Sequence, residues 1–244
     1  MGLHYSITNI AIDWKELIQF KRTFTDLVPK NREGDFNKAG ITTYHRRAQF
    51  RGSRSINVVT KPDDDEAAAD HPSNIEGKYI VIASGAKPVN LNVPGKENMI
   101  TSDQFLDLEY LPNKIVFVGG GYISFEFAHI AARTGSKVKI LHRGRSHLNN
   151  FDPDLVDMLV RRIQDSGVDV QLRTEVKSLE RRDNGGGLIV HTSLIEGVTG
   201  LEVKGKTSED TTHGTTFEAD MVVHGAGRVP DIEDLQLDVA SLIL

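Results

Sequence analysis

Residues 114–141 read KIVFVGGGYISFEFAHIAARTGSKVKIL. The run KIVFV (114–118) is continuous and apolar, the pattern of a strand buried on both faces of a parallel sheet. Three glycines follow, then an apolar-periodic stretch that predicts a helix over 121–134, stopped by Gly135. KVKIL (137–141) predicts a second strand. Gly119-Gly120-Gly121-Tyr122-Ile123-Ser124 fits G-x-G-x-x-small. A lone match of that pattern is weak. This one follows a strand and opens a helix inside a βαβ unit, the context its mechanism requires. Gly119 permits the tight turn, Gly121 lets a pyrophosphate approach the backbone, and position 124 needs a small side chain for helix–strand packing. Ser124 is small without being glycine. The helix start offers free amides and a partial positive charge to phosphates. The pattern therefore predicts a dinucleotide site rather than a bare glycine turn.

The end of the second strand discriminates between cofactors. A site for NADH places Asp or Glu there, to accept from the ribose 2′-hydroxyl. Here the sequence reads Leu141-His142-Arg143-Gly144-Arg145-Ser146-His147, with no acid until Asp152. Two arginines near the strand tip suit a 2′-phosphate, which guanidinium forks grip through charge-assisted hydrogen bonds. The expected cofactor is NADPH in preference to NADH. Arg143 is favoured over Arg145 as phosphate ligand, with His142 beside them. That one arginine merely faces solvent stays open at this point.

Downstream the alternation continues. Asp152-Pro153 starts another helix, cap and first-turn proline in their preferred order. Val156, Leu159, Val160 and Ile163 form its apolar face and Gly167 ends it. VDVQL (168–172) predicts a third strand. From 175 the pattern changes to short strands, VKSLER, GLIVHTSL, TTFEAD and MVVHGAG, with Asn184-Gly185-Gly186-Gly187 as a hairpin turn. The order is βαβαβ, a β-meander and a closing strand, an α/β fold of the Rossmann-like class.

Upstream, DWKELIQFKRTFTDL (13–27) predicts a helix capped by Asp13 and ended by Pro29, with Trp14, Leu17, Ile18, Lys21 and Phe24 on one face. REGDFNKAG predicts a second helix, closed by Gly40. Residues 42–59 predict a hairpin turning at Gly52-Ser53. KPDDDEAAADHPSN follows as a surface loop. Asp63, Asp64 and Asp65 lack the spacing of a calcium loop and read as a solvated charge run. KYIVIASGAKP (78–88), an apolar run ended by Ser-Gly and Pro, predicts a buried strand and a sharp turn. Residues 90–112 read as a connection holding one short helix at SDQFLDL, capped by Ser102 or Asp103.

Composition bounds the function. The chain has 244 residues with 29 Lys+Arg against 34 Asp+Glu, a formal net charge of -5. An acidic balance argues against a nucleic-acid partner, so the basic and aromatic strand at 44–51 reads as a solvated face. A hydrophobic share of 39%, with 22 glycines besides, is that of a globular chain. There is no cysteine, which excludes disulfides, thiolate zinc ligands and thiol nucleophiles within these residues. It also fits a reducing compartment, and the expected location is the cytoplasm. No apolar run reaches 18 residues, so no membrane partner is expected. Glu126-x-x-His129 has di-iron spacing, but no second copy accompanies it, and no metal site is expected. Nucleophile elbow, Walker A and H-E-x-x-H patterns are absent.

Several segments, in order, resemble the flavoprotein disulfide reductases. These are the FAD-dependent pyridine nucleotide-disulfide oxidoreductases, whose members include glutathione reductase, mercuric reductase and dihydrolipoamide dehydrogenase. YIVIASGAKP is similar to the family's apolar strand and A-T-G segment near FAD, with Ser84 for Thr before Gly85. ITSDQFLDLEYLPNKIVFVGGGYISFEFA resembles the connection into the nucleotide domain. GAGRVPD (225–231), containing Gly227 and Arg228, resembles G-R-x-P-N, with Asp231 for Asn.

The resemblance implies a partial FAD-binding-type domain at 1–89, a connection at 90–112, a NAD(P)H-binding Rossmann-like domain at 113–232 and a tail at 233–244. It implies that Tyr122 shields the flavin and that Glu126 pairs with a lysine outside this chain. Arg143 and Arg145 would occupy the 2′-phosphate region, with Asn149 where some members carry a further arginine. It also implies that the chain begins beyond the family's FAD glycine motif and redox cysteine pair, and ends before the catalytic His-Glu segment and the dimer interface. In the whole enzyme, hydride would pass from NADPH to FAD and on to a disulfide or similar acceptor. The alternatives are a free-standing, non-catalytic dinucleotide-binding module, a subunit of a split flavoenzyme, or a truncated product. Self-association, or a missing flavin and interface half, is the partner expected of an open sheet edge.

Overall fold

A computed structural model describes residues 3–6, 9–59, 74–183, 186–195 and 214–242. In chain order they begin with strands β1 (Leu3–Ser6) and β2 (Asn9–Ile12), helices α1 (Trp14–Thr25) and α2 (Val28–Lys38), and strands β3 (Arg47–Gly52), β4 (Ser55–Val59), β5 (Asn74–Glu76) and β6 (Ala86–Pro88). Next come β7 (Met99–Thr101), α3 (Ser102–Asp107), β8 (Lys114–Val118), α4 (Tyr122–Arg133), β9 (Lys137–Leu141) and α5 (Pro153–Asp165). Strands β10 (Asp169–Gln171), β11 (Thr174–Arg181), β12 (Leu188–Leu194), β13 (Thr216–Ala219), β14 (Met221–His224) and β15 (Arg228–Pro230) follow. The chain divides into two compact units, Met1–Arg22 with Pro88–Arg228, and Thr23–Lys87 with Val229–Leu244.

The first unit is built on a parallel sheet in the order β10-β9-β8-β14-β7. Its central strand β8 alternates its side chains between two cores, as a period of two demands. Ile115 and Phe117 point to one face, where they meet Trp14, Ile18, Phe105, Phe125, Ala128 and Ile163 from α1, α3, α4 and α5. Val116 and Val118 point to the other, where Val176, Leu179, Leu188 and Val190 of the antiparallel meander β11-β12-β13 cover them. This is a Rossmann-like layering of helices, parallel sheet and meander. Local chemistry sets the helix starts. The Asp152 carboxylate accepts from the amides of Asp154 and Leu155 at 3.0 and 3.3 Å, with Pro153 in the first turn, as expected. Asp13 accepts from the Glu16 amide at 3.0 Å. Helix α3 is capped by Thr101 rather than by Ser102 or Asp103. Gln104, three residues on, reaches back to the Thr101 amide and completes a capping box.

The second unit holds the antiparallel sheet β3-β4-β5 and helix α2. Several expectations need correcting here. Helix α2 begins at Val28, not at Arg32, because Pro29 suits a first helical turn, where its missing amide costs nothing. Phe24 is exposed, not on the buried face of α1. Strand β3 begins at Arg47, and the hairpin turns at Ser53-Arg54. The expected buried strand at 78–88 is not one. Only Ala86–Pro88 is extended as a strand, and Tyr79 and Val81 are 82% and 86% exposed. A strand in a parallel sheet needs a neighbour for its amides and carbonyls. The described residues of this unit offer no parallel neighbour to it. Asp63, Asp64, Asp65 and most of the loop that holds them lie outside the described residues, as do Asn184 and Gly185. Among the described residues no helix is long and apolar enough to cross a membrane.

Candidate functional site

The three glycines between β8 and α4 are glycines for three different reasons. Gly119 has φ +114°, and a Cβ there would stand 2.3 Å from the Gly225 carbonyl oxygen. A Cβ on Gly120 would stand 2.6 Å from Cγ of His142 and 2.7 Å from Nδ1 of His147. Gly121 is different. Its φ of -88° and ψ of 174° suit any residue, and a Cβ would meet nothing nearer than the Gly225 oxygen at 3.8 Å. Packing within the chain explains the first two glycines and leaves open space in front of the third. That space faces the start of α4, where Gly121 is the N-cap, no side chain caps the helix and no acid lies in the first turn. Bare first-turn amides beside open space make an anion cradle.

Ser124 fills the helix–strand contact expected of position 124. It is fully buried, and a Cβ on Gly225 would come within 2.1 Å of its Oγ. That oxygen has no hydrogen-bond partner. Ile123 occupies the first turn of α4, half-buried.

The segment after β9 is tied to the glycine loop. The Gly119 amide donates to Leu141 O at 2.8 Å, and the Leu148 amide to Gly120 O at 3.2 Å. The Gly120 amide donates to Nδ1 of His142 at 3.1 Å, and His142 Nε2 lies 3.0 Å from Ser146 O. His142 was expected among the cofactor-binding residues. Its ring turns inward to the glycine loop. Burial holds its pKa below 6.5, against the Ser146 carbonyl, with the positive charge of Arg143 adding to the depression. Arg143 and Arg145 are exposed on the same segment, and Arg143 has no acidic partner among the described residues. Asn149 accepts from Ser146 Oγ.

His147 was not singled out by its sequence context. It is buried, edge-on to Phe125 with ring centroids 5.2 Å apart, and 5.5 Å from His142. Burial, with the neighbouring His142, lowers its pKa from 6.5 to about 4. Its Nδ1 has no hydrogen-bond partner among the described residues. Its neighbours in the sequence carry no periodic pattern that marks it as buried.

Tyr122 and Glu126 sit one turn apart on the exposed side of α4. With Phe127, Ile130, Phe151 and Leu155 they line an apolar cleft of about 680 Å³ between α4 and α5. Gly227 and Arg228 close this unit. Gly227 has φ +118° and accepts from the Val89 amide at 3.0 Å, and Arg228 stands 3.8 Å from Asp103. Ser84 and Gly85 belong to the other unit. Gly85, at φ +76°, accepts from the Asp231 amide at 3.0 Å. Ser84 borders a cavity of about 140 Å³ lined by Phe50, Ile56, Ile82 and Leu235. Among the described residues no group of three or more His, Asp or Glu is placed to hold a metal ion.

Comparison with known proteins agrees with this architecture. Residues 8–242 match the family model described as pyridine nucleotide-disulphide oxidoreductase. The chain is 30% identical to glutathione reductase of Burkholderia cepacia, over 99% of this chain and 46% of that protein. It is 26% identical to trypanothione reductase of Trypanosoma congolense, over 100% of this chain and 46% of that one, and 26% identical to dihydrolipoyl dehydrogenase of Staphylococcus aureus, over 94% and 44%. Among solved structures, the HOCl-induced flavoprotein disulfide reductase RclA of Escherichia coli superposes with a TM-score of 0.76 at 26% identity, covering 96% of this chain and 47% of that one. The chain thus spans about half the length of the curated relatives it matches. The glycine loop, the parallel sheet and this match over nearly all its residues agree: the chain belongs to the pyridine nucleotide-disulphide oxidoreductase family.

Proposed function

We propose that this chain is the NADPH-binding part of a flavoprotein oxidoreductase, with residues 113–232 as its dinucleotide domain. The observation that carries the reading is the open space at Gly121, before the uncapped start of α4. In this reading the first-turn amides of Tyr122, Ile123 and Ser124 bind the pyrophosphate, and Arg143, with Arg145 nearby, binds the 2′-phosphate through charge-assisted hydrogen bonds. An acid at the strand tip would repel that phosphate, and His142 there carries no charge at neutral pH. NADPH supplies the hydride and FAD, where present, accepts it. The chain's own share is to bind and orient. Tyr122, exposed beside the cleft, is the cover over the nicotinamide position, and Glu126 a pairing partner one turn away. Ser84, Gly85, Gly227 and Arg228 are proposed flavin-side contacts in the whole family architecture. The chain has no cysteine, so reduction of a disulfide acceptor would need groups outside these 244 residues.

A second reading, a dinucleotide-binding module without flavin, is favoured by the exposed side chains of Tyr79, Val81 and Ile82, in a segment that no strand pairs among the described residues. Calorimetric titration with NADPH and NADH, and the visible spectrum of the purified protein, test both. Saturable binding with NADPH about tenfold tighter than NADH is expected. No saturable binding would refute the first reading. A flavin absorbance band would refute the second.

A further inference from the structure

We propose that His142 is a positioning residue for cofactor selection: its side chain ties the segment that carries Arg143 to the glycine loop, and so sets the distance from the 2′-phosphate partner to the pyrophosphate cradle. The inference rests on the reading of this site as one for NADPH.

The ring sits in a slot made for it. A Cβ on Gly120 would meet Cγ and Cδ2 of His142 at 2.6 and 2.9 Å. A Cβ on Gly144 would meet Nε2 at 2.4 Å. Neither glycine has a positive φ, so backbone conformation does not explain either of them. Room for the imidazole does.

The hydrogen bonds fix the tautomer. The Gly120 amide donates to Nδ1 at 3.1 Å, so Nδ1 carries the lone pair. Nε2 carries the proton and donates to Ser146 O at 3.0 Å. One ring thereby joins the middle of the glycine loop to the far side of the loop bearing Arg143. The other two ties between these segments, Gly119 to Leu141 and Leu148 to Gly120, are backbone to backbone. They would survive a change of side chain at 142. Arg143 lies in the turn between His142 and Ser146 that the Nε2 bond closes, and its guanidinium has no acidic partner among the described residues.

The bridge works only while the ring is neutral. A proton on Nδ1 would face the Gly120 amide hydrogen and break the contact. The charged or titratable groups that face the ring are Arg143 beside it and His147 from the same loop. Arg143 disfavours a positive charge on the ring, His147 is itself neutral near neutral pH, and no carboxylate faces the ring among the described residues. The amide-to-imidazole bond therefore persists through neutral pH and fails on acidification.

The test uses the 244-residue chain and reads dissociation constants for NADPH and NADH. His142→Ala should narrow the NADPH-over-NADH ratio about tenfold, with NADH affinity within about twofold of wild type. His142→Asn places an amide oxygen near the position of Nδ1 and should restore the ratio. As the pH is lowered from about 7.5 to below 6.5 and onward until the ring is charged, wild type should lose its preference more steeply than His142→Asn, since titration of the 2′-phosphate is common to both. A ratio unchanged in His142→Ala, or His142→Asn behaving as alanine does, would overturn the positioning role. Wild type that binds neither dinucleotide would instead overturn the reading of the site. Nitrogen chemical shifts of His142, read without nucleotide, separate the two cases: a proton on Nδ1 at neutral pH refutes the bridge itself.

Discussion

Gly119 and Gly225 pass so close that a Cβ on Gly119 would stand 2.3 Å from the Gly225 carbonyl oxygen. The end of β8 and the end of β14 therefore meet backbone to backbone, with the Gly225 amide donating to Val118 O at 2.8 Å. Gly119→Ala would add a steric collision to a φ of +114°. It should destabilise the chain by roughly 3 kcal/mol or more. Gly121→Ala should cost within about 1 kcal/mol, because its backbone is extended and the space before it is open. Yet it should weaken NADPH binding at least about tenfold, since the methyl takes the place of the phosphate. Thermal melting and calorimetric titration of the two variants separate the fold-bearing glycine from the ligand-bearing one.

Arg143→Ala should raise the dissociation constant for NADPH about tenfold and leave that for NADH within about twofold. Arg143→Lys should recover only part of the loss, because an ammonium lacks the planar fork. The wild-type preference should also shrink with added salt, as an exposed ion pair requires. Titrations at low and high ionic strength check this. A preference unchanged in Arg143→Ala would move the phosphate contact elsewhere.

Acid should unfold this chain in a window set by His147. Its pKa is about 4 in the folded state against an ordinary 6.5. Above pH 6.5 the ring is neutral in both states and has no effect. Between 6.5 and 4 the unfolded chain takes up a proton that the folded chain declines, so stability falls with falling pH. The slope approaches about 1.4 kcal/mol per pH unit, and the loss sums to about 3 kcal/mol below the folded value. His142, lowered in the same direction, adds to it. Urea unfolding between pH 7.5 and 4 should flatten in His147→Leu. An equal slope in that variant would place the acid sensitivity elsewhere.

The single Trp reports on one core. Trp14 stands edge-on to Phe105 at 5.4 Å and donates from Nε1 to Leu108 O at 2.8 Å. Phe105 is fully buried and stacks on Phe127 at 5.1 Å. Phe105→Ala should cost roughly 3–5 kcal/mol. The emission of Trp14 should shift to longer wavelength before the chain unfolds globally. An unshifted spectrum with unchanged stability would contradict the packing of α1 on α3.

The sequence was most legible where one local signal decides an element. KIVFV and KVKIL became β8 and β9 to the residue, because the glycine loop after the first, and Gly135 at the end of the helix before the second, mark where each can lie in a βαβ unit. Asp152-Pro153 likewise marked the start of α5. The helix after β7 was read with Ser102 or Asp103 as its cap, and the capping box that Thr101 makes with Gln104 was missed. The run at 78–88 looked like a buried strand because an apolar stretch reads alike whether or not its neighbours exist. Burial there depends on strands far away in the chain. At the candidate site, the glycine spacing placed Gly119, Gly121 and Ser124. The inward turn of His142 and the burial of His147 had no periodic signature, since both depend on the absence of a side chain at Gly120, and the first also on its absence at Gly144.

Strand β14 slots between β7 and β8, with Val222 opposite both Met99 and Val116. The Lys114 amide reaches Asp220 across 106 residues of chain. An interior strand of this sheet is therefore the last of its five strands to leave the ribosome. Until residue 224 has emerged, β8 has one bare edge and β7 has no partner. The nucleotide loop cannot take its final shape either, because the Gly225 carbonyl that crowds Gly119 is not yet in place. Such a late, long-range closure makes folding slow relative to a helical protein of this size. It also leaves the half-made sheet open to pairing with other nascent chains, so yield in expression should depend on chaperone supply more than on the stability of the finished fold.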